Sequence, residues 1–150
     1  MLSIDTNLLF FAFAADRPEH TGASEWLEGL ITQKDVALSE FVLVELYNLL
    51  RNPAVLKKPL SAPEAAIVIQ TYRHHPHWKI IGFPRDSRRM HDELWNLAAK
   101  AGLPRRRIFD ARQAYSLLHQ GVRSFATANV KDFEGLGFER VWNPLAGKNS

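Results

Sequence analysis

Short apolar runs alternate along the chain with longer segments in which apolar residues recur every three or four positions. The short runs are typical of strands, and the longer segments are typical of helices that bury one face. The pattern predicts strands at 2–4, 35–39, 79–82, 124–127 and 140–142. It predicts helices at 6–15, 17–31, 41–50, 61–74, 87–101 and 110–120. This alternation predicts a three-layer α/β/α sandwich around a parallel sheet of four to five short strands.

Polar residues and prolines mark where two of these helices begin and end. Ser39 precedes the third helix as a cap, and Ser61 with Glu64 forms a capping box at the start of the fourth. Pro53 and Pro76 follow the same two helices, and proline cannot continue a helix.

Length and composition indicate one globular domain. The chain has 150 residues, of which 46% are apolar and 23% are charged. Because it contains no linker or repeat, we expect a single domain at 1–145 and a frayed tail at 146–150. The absence of cysteine excludes a disulfide framework, a zinc knuckle and a thiol nucleophile, and fits the cytoplasm. The net charge of +3 permits a polyanionic partner without requiring one.

One apolar run, LLFFAFAA at 8–15, resembles the core of a signal peptide. It lacks the basic leader of such a peptide, and the acidic Asp5 stands before it. The run is also too short to span a bilayer. We therefore expect a buried helix here and no association with a membrane.

Three carboxylates occupy positions where a buried charge is costly unless it is paired or coordinated. Asp5 ends the first predicted strand, and ligands of parallel sheets bind at the carboxyl ends of strands. Glu45 lies among apolar residues of the helix after the second strand, and Asp110 opens a later helix. The stretch 127–133, after the fourth strand, adds further polar side chains. We expect these groups to meet at one site.

The predicted cluster of acids favours a metal site. Several carboxylates within a few ångströms repel one another and raise each other's pKa. A divalent cation removes this penalty, and hard oxygen ligands without cysteine favour Mg²⁺ or Mn²⁺ over zinc. Such an ion can lower the pKa of a bound water and stabilise charge on a phosphate. Together with a basic rim, these acids favour hydrolysis of a phosphodiester bond.

Each acid also has a structural explanation when it is taken alone. Asp5 could cap the helix that follows it, Asp110 could stabilise its own helix from the first turn, and Glu45 could pair with Arg51. Thr6 could simply begin the first helix. We favour a shared site because all three acids are predicted at strand ends or on a buried helix face.

Five short motifs follow one another in order between Ile4 and Pro144. They read IDTN, SEFVLVEL, FDARQAYSLLHQG, FATANVKDF and VWNP. In this order and spacing the sequence resembles the PIN-domain ribonucleases, and among them the VapC-type toxins of toxin–antitoxin pairs. The resemblance implies a PIN-like fold and an endoribonuclease that cuts single-stranded or structured RNA with Mg²⁺ or Mn²⁺. It also implies a homodimer that is held by a cognate antitoxin protein.

The same resemblance assigns roles to residues within the motifs. The catalytic acids of the family match Asp5, Glu45 and Asp110. Of these, Asp5 and Asp110 would bind the metal, and Glu45 would orient or deprotonate the attacking water. Many members carry Asp where this chain has Asn129, and Asp132 lies three residues further on. Either residue could therefore complete the site.

Residues beside the motifs could contact the metal or the RNA. Thr6, at the start of the first helix, could support the site. Arg105, Arg106 and Arg107 form a basic loop before the third acid and could hold an RNA backbone. The alternative is a solvated loop, or ion pairs with neighbouring acids, because a charge run alone is weak evidence.

Two other functions are consistent with the pattern. If Asn129 replaces the fourth acid, the chain could be a PIN-like module that binds RNA or protein without cutting. Phosphatase and phosphoacceptor domains also place an aspartate after a first strand, which would make Asp5 a nucleophile, but the sequence offers no matching lysine. Metal binding distinguishes the first alternative, and phosphorylation of the protein distinguishes the second.

Overall fold

Five strands and seven helices form in the described part of the chain, residues 1–100 and 102–147 of a computed structural model. The strands are β1 (Leu2–Ile4), β2 (Val36–Ser39), β3 (Lys79–Ile81), β4 (Ser124–Ala126) and β5 (Arg140–Trp142). The helices are α1 (Thr6–Phe13), α2 (His20–Glu28), α3 (Glu40–Leu50), α4 (Ala62–Arg73), α5 (Ser87–Ala98), α6 (Arg107–Leu118) and α7 (Val130–Phe133). All five strands and six of these helices match predicted elements.

The strands form one parallel sheet in the order β3-β2-β1-β4-β5. Strand β1 lies at its centre, where Leu2 pairs with Val36 of β2 and with Ser124 of β4. Strands β2 and β3 lie on one side of β1, and the chain then crosses over to place β4 and β5 on the other side. Such a change of direction opens a crevice at the carboxyl ends of the central strands. Asp5 and Thr127, which directly follow β1 and β4, lie at this crevice.

The two faces of the sheet carry separate apolar cores. Side chains alternate along a strand, so that neighbouring residues face opposite sides. Ile4, Leu38 and Ala126 pack with helices α1 to α4 on one face. Ala37 and Phe125 pack with residues of α5, α6 and α7 on the other. Helices on both faces of a parallel sheet confirm the predicted three-layer α/β/α sandwich.

Several helix boundaries differ from the prediction. Helix α1 ends at Phe13 instead of residue 15, and Phe13 is 38% exposed, so this helix buries one face and not its whole circumference. Helix α2 begins at His20. Helix α6 begins at Arg107, which places Asp110 in its first turn instead of at its first residue. The sequence pattern does not predict α7, because four residues are too few to show a helical period.

The predicted helix caps are present. The Ser39 side chain accepts a hydrogen bond from the backbone N–H of Phe41 at 3.1 Å. Ser61 and Glu64 bond each other's backbone N–H groups and close the capping box. These caps set the first turns of α3 and α4.

Three predictions concern the chain ends and the membrane. Within the described residues, no helix has the length and hydropathy needed to cross a bilayer. The predicted end of the fifth helix, Ala101, lies outside the described residues, and so do 148–150 of the predicted tail. The domain limits at 1–145 therefore stay a prediction.

Candidate active site

Asp5 occupies the point where the central strand β1 becomes helix α1. Its backbone is extended, and its Oδ1 accepts the backbone N–H of Thr6 at 2.8 Å, which caps α1. Its Oδ2 accepts the hydroxyl of Thr127 at 2.7 Å and the side-chain N–H of Asn7 at 3.3 Å. The residue is only 7% exposed. Capping and a place at the strand-end crevice are therefore compatible roles of one carboxylate.

Thr127 and Asn7 tie the segment after β4 to the start of α1. The Thr127 hydroxyl that donates to Asp5 also accepts the backbone N–H of Asn129 at 2.9 Å. The side-chain oxygen of Asn7 accepts the backbone N–H of Ala128 at 3.2 Å. These bonds join the carboxyl ends of two neighbouring strands and hold Asp5 in one orientation. Because Thr127 is fully buried, its hydroxyl needs hydrogen-bond partners, and Asp5 and Asn129 supply them.

Glu45 lies in the second turn of α3 and reaches the same crevice. The hydroxyl of Thr6 donates to its Oε2 at 2.7 Å. The prediction of a buried helix face at this point is wrong, because Glu45 is exposed and Val44 beside it is 62% exposed. Arg51, the suggested partner of Glu45, instead donates to the hydroxyl of Tyr47 at 3.0 Å. Glu45 is thus held towards the crevice by a neutral hydroxyl from α1.

Asp110 and Asp132 approach the crevice from the opposite side of the sheet. Asp110 lies in the first turn of α6, and Asp132 lies in α7, which begins after Asn129. The predicted catalytic, metal-binding and supporting residues all border one cavity of about 440 Å³, whereas the three arginines of the basic loop do not. Its carboxylates come from four separate elements: Asp5, Glu45, Asp110 and Asp132. Asn129 and Thr6 also line it.

The cavity contains uncompensated negative charge. Burial is the main cause that raises the pKa of Asp5 from 3.8 to about 6; hydrogen bonds from Thr127 and Thr6 oppose it, and the charges of Glu45 and Asp110 add to it. Burial likewise raises the pKa of Asp110 from 3.8 to about 6. The charges of Asp132 and Glu45 raise it further, whereas Arg107 lowers it. Glu45 therefore lies close enough to raise the pKa of both Asp5 and Asp110, and Asp132 lies close enough to raise the pKa of Asp110.

The donor set of this cavity fits a hard divalent cation. Carboxylate oxygens, with the amide oxygen of Asn129 in reach, are the ligands that Mg²⁺ and Mn²⁺ prefer. A bound dication would also relieve the repulsion that raises the pKa of Asp5 and of Asp110. Among residues 1–100 and 102–147, however, no three His, Cys, Asp or Glu side chains are arranged as a ready-made metal cage. The acids thus line one cavity, but within the described residues they do not form a closed coordination shell.

The position of Asp132 bears on the two alternative functions. Asn129 adds no charge, but Asp132 supplies a fourth carboxylate to the same cavity, which disfavours a module that binds RNA or protein without cutting. Asp5 as a phosphoacceptor is also disfavoured, because both of its oxygens accept hydrogen bonds and little of it is exposed.

The three arginines of the basic loop have different environments. Arg105 and Arg106 are exposed before α6. Arg107 is half-buried and donates to the backbone oxygen of Glu134 at 2.7 Å, and its charge reaches Asp110. Arg107 therefore ties α6 to the segment after α7. RNA contact by the three residues stays a prediction.

Gln113 is a cavity residue that sequence reasoning missed. It lies one turn after Asp110 on α6, is 6% exposed and borders the same cavity. Its Nε2 has no hydrogen-bond partner among the described residues. Its spacing of three residues from an acid, on an otherwise apolar helix face, is the signal that could have identified it.

Comparison with known proteins identifies the family of the chain. The PIN domain family matches residues 2–138. The sequence is 48% identical over 145 residues to ribonuclease VapC24 of Mycobacterium tuberculosis, an alignment that covers 97% of each chain. The five-motif resemblance is therefore confirmed.

Solved structures with the same fold are more distant in sequence. FitAcB of Neisseria gonorrhoeae is 20% identical with a TM-score of 0.67, covering 97% of this chain and 99% of that one. VapC20 of M. tuberculosis, a toxin that cleaves the sarcin–ricin loop, is 17% identical with a TM-score of 0.65, covering 92% and 96%. VapBC2 of Rickettsia felis, bound to a promoter DNA fragment, is 17% identical with a TM-score of 0.63, covering 95% and 98%. With its parallel sheet, its acidic crevice and these relatives, the chain belongs to the PIN-domain family, in its VapC ribonuclease branch.

Proposed function

We propose that this protein is a divalent-metal-dependent endoribonuclease that hydrolyses phosphodiester bonds of RNA and acts in the cytoplasm as the toxin of a toxin–antitoxin pair. The observation that carries the proposal is the cavity at the strand ends, where Asp5, Glu45, Asp110 and Asp132 come together from four elements. The 48% identity to a ribonuclease VapC over nearly the whole chain supports the same activity.

In this proposal Asp5 and Asp110 hold Mg²⁺ or Mn²⁺, with Asp132 as a further oxygen ligand. When bound, the ion supplies Lewis-acid stabilisation of charge on the phosphate and a more acidic water. Thr127 keeps Asp5 oriented by donating to Oδ2, a bond that favours the ionised carboxylate and fixes its position.

Glu45 positions the attacking water. The Thr6 hydroxyl occupies its Oε2 at 2.7 Å, so its Oε1 is the oxygen left to accept a proton from water. A carboxylate within hydrogen-bond reach of the water can act as its general base. Arg105 and Arg106, exposed before α6, would contact the phosphates of the flanking RNA.

Cleavage of RNA by site variants tests the proposal. The parent should cut single-stranded RNA with Mg²⁺ or Mn²⁺ and lose this activity in EDTA. Asp5→Asn and Asp110→Asn should each lower the rate by at least a hundredfold, because each removes a charge at the metal. Asp92→Asn, which removes an exposed charge on α5, is the matched control. The proposal is wrong if both site variants cut as fast as the parent.

A protein partner and a dimer are expected from the proposed toxin function. Two of the solved structures with this fold are named as a toxin–antitoxin complex from Klebsiella pneumoniae and as FitAB bound to DNA. We infer that this chain likewise binds a cognate antitoxin and forms a homodimer. Induced expression should arrest bacterial growth, and Asp110→Asn should not. Light scattering of the purified protein checks the dimer.

A further inference from the structure

An aromatic cluster of Phe41, Phe83 and His91 lies where strands β2 and β3 end, at the same edge of the sheet as the acidic cavity. Phe83 follows β3, and its ring centroid lies 4.7 Å from that of Phe41 on α3 and 5.3 Å from that of His91 on α5. Even with these contacts, Phe83 remains 45% exposed. The cluster therefore holds an aromatic side chain in place and leaves much of it open to solvent.

The guanidinium of Arg112, on α6, packs against the same rings. Its Cζ lies 5.4 Å from the ring centroid of Phe41 and 5.7 Å from that of Phe83. Among residues 1–100 and 102–147, no carboxylate pairs with this guanidinium and no acceptor bonds to it. Its N–H groups nevertheless stay accessible to solvent. The rings thus position a half-buried cation whose N–H groups are free to donate to a ligand.

Two helices connect the aromatic cluster to the acidic cavity. Phe41 precedes Glu45 by four residues on α3, so the two side chains lie about one turn apart on one face of the helix. Arg112 follows Asp110 by two residues on α6, an axial distance of about 3 Å. An RNA strand that places a phosphate in the cavity can therefore place its neighbouring nucleotide at the cluster.

The surface around the aromatic cluster is basic. Three exposed arginines come soon after Phe83 in the sequence: Arg85, Arg88 and Arg89. Asp86, which lies among them, accepts the backbone N–H of Arg89 at 3.0 Å and caps α5. Glu40, beside Phe41, pairs with Arg73 at 2.9 Å. These positive charges attract a polyanion, whereas a second copy of the same face would bring like charges together.

We propose that Phe83 and Arg112 form a platform for the nucleotide that flanks the cut phosphodiester bond, with the base stacked on Phe83 and a phosphate held by Arg112. This inference rests on the proposed ribonuclease activity and adds a binding site outside the acidic cavity. Bases of single-stranded RNA stack on aromatic side chains, and arginine donates several N–H groups to phosphate oxygens. Because every base has a flat face, the platform binds RNA with little regard to sequence.

Binding of RNA to variants tests the stacking contact. A fluorescein-labelled single-stranded RNA of mixed sequence is titrated in Mg²⁺ with the Asp110→Asn protein, which should leave it intact. Adding Phe83→Ala should weaken binding about tenfold, because the loss of one stacked base lowers affinity to that extent. Phe83→Trp keeps an aromatic surface and should keep the affinity. Phe13→Ala, which removes a 38% exposed phenylalanine from the end of α1, is the matched control.

The salt dependence of binding tests the phosphate contact. Arg112→Met, in the same Asp110→Asn background, should weaken binding and flatten the plot of log affinity against log salt by about 0.7, the value for one phosphate contact of a single strand. Arg112→Lys keeps the charge and should keep the slope. Arg140→Met is the matched control, because the Arg140 guanidinium also packs on a ring, 3.8 Å from the centroid of Trp142 on the opposite edge strand.

The outcomes separate the platform from the nuclease. Phe83 and Arg112 lie outside both apolar cores, so their variants should fold like the parent. If Phe83→Ala and Arg112→Met both keep the RNA affinity and the salt slope, the platform is overturned, whether or not the parent cuts RNA. If light scattering shows that Phe83→Ala converts a dimer into monomers, the face is a subunit contact and the platform is likewise overturned. If both variants weaken binding but the parent fails to cut RNA, the platform stands and the proposed function is wrong.

Discussion

At the scale of single residues, Asp5 has three roles that different side chains usually perform. It ends a central strand, caps a helix and contributes charge to a shared cavity. The sequence revealed it because an acid between two apolar segments needs an explanation. Thr127, which fixes it, is not singled out by the sequence, since threonine at a strand end is common and carries no charge to explain.

The pKa of Asp5 predicts how the metal-free protein responds to pH. Because the folded-state pKa, about 6, lies above the ordinary 3.8, the folded state holds its proton more tightly than the unfolded state. The free energy of unfolding should therefore fall as the pH rises from about 4 to above 6. The contribution of Asp5 to this fall is about 3 kcal/mol. Asp110 acts in the same direction.

Urea unfolding in EDTA at pH 4.5 and pH 7.5 measures this effect. Asp5→Asn keeps a side chain that caps well but does not titrate, so it should be more stable than the parent at pH 7.5 and lose that advantage at pH 4.5. Equal destabilisation of Asp5→Asn at both pH values would contradict the assignment.

The hydroxyl of Thr127 should control metal affinity. Thr127→Val removes the 2.7 Å bond to Asp5 with little change in volume, and the affinity for Mg²⁺ should fall about 10- to 100-fold. Thr127→Ser keeps the hydroxyl and should retain most of the affinity. Thr6→Val, which breaks the bond to Glu45 instead, should slow cleavage and leave the Mg²⁺ affinity near that of the parent. Calorimetric titration with Mg²⁺ separates Thr127→Val from the other two variants, and identical affinities of all three would contradict the proposed role.

At the scale of elements, the strands were the easiest part to predict. Each is a short apolar run bounded by turn residues, and a run of this length is typical of a strand and too short for a helix. Helix α7 escaped prediction because its four residues give no period, and α1 is shorter than its apolar run because Ala14 already leaves the helical conformation.

Helix α3 brings Glu45 to the cavity for a reason that differs from the predicted one. Glu45 was singled out as a costly acid on a buried face, yet its side of the helix is open to solvent. What places it in the site is the position of α3 after β2 and the hydroxyl of Thr6, a contact 39 positions away in sequence. Single-sequence patterns do not contain such long-range contacts.

The cap of α3 should contribute measurably to stability. Ser39 is buried, and its hydroxyl accepts the N–H of Phe41 at 3.1 Å. Ser39→Ala leaves that N–H unpaired and should lower the free energy of unfolding by about 1 kcal/mol. Urea unfolding should show a lower midpoint with an unchanged slope, as expected for a loss of native stability alone. An unchanged midpoint would show that water replaces the cap without cost.

At the scale of the whole molecule, the order of the strands creates the site. Residues 5 and 127 lie far apart in sequence but are neighbours because β1 and β4 pair in the centre of the sheet. The alternation of elements predicts the layers and the edge at which ligands bind. It does not predict that β4 lies next to β1, and so it could not predict that Thr127 would meet Asp5.

Metal binding should therefore stabilise the entire fold. The acids come from elements on both sides of the sheet, and unfolding separates them, so an ion held between them binds the folded state alone. At a Mg²⁺ concentration one hundred times its dissociation constant, the gain in unfolding free energy is about 2.7 kcal/mol. For a chain of this size the thermal midpoint should rise by roughly 5 to 10 °C.

Calorimetry at pH 7.5 with and without Mg²⁺ measures the shift. Asp110→Asn should lose most of it, whereas Asp92→Asn, with the same change of charge outside the cavity, should keep it. An equal shift in all three proteins would mean that the ion binds elsewhere, and the assignment of Asp110 as a ligand would then be wrong.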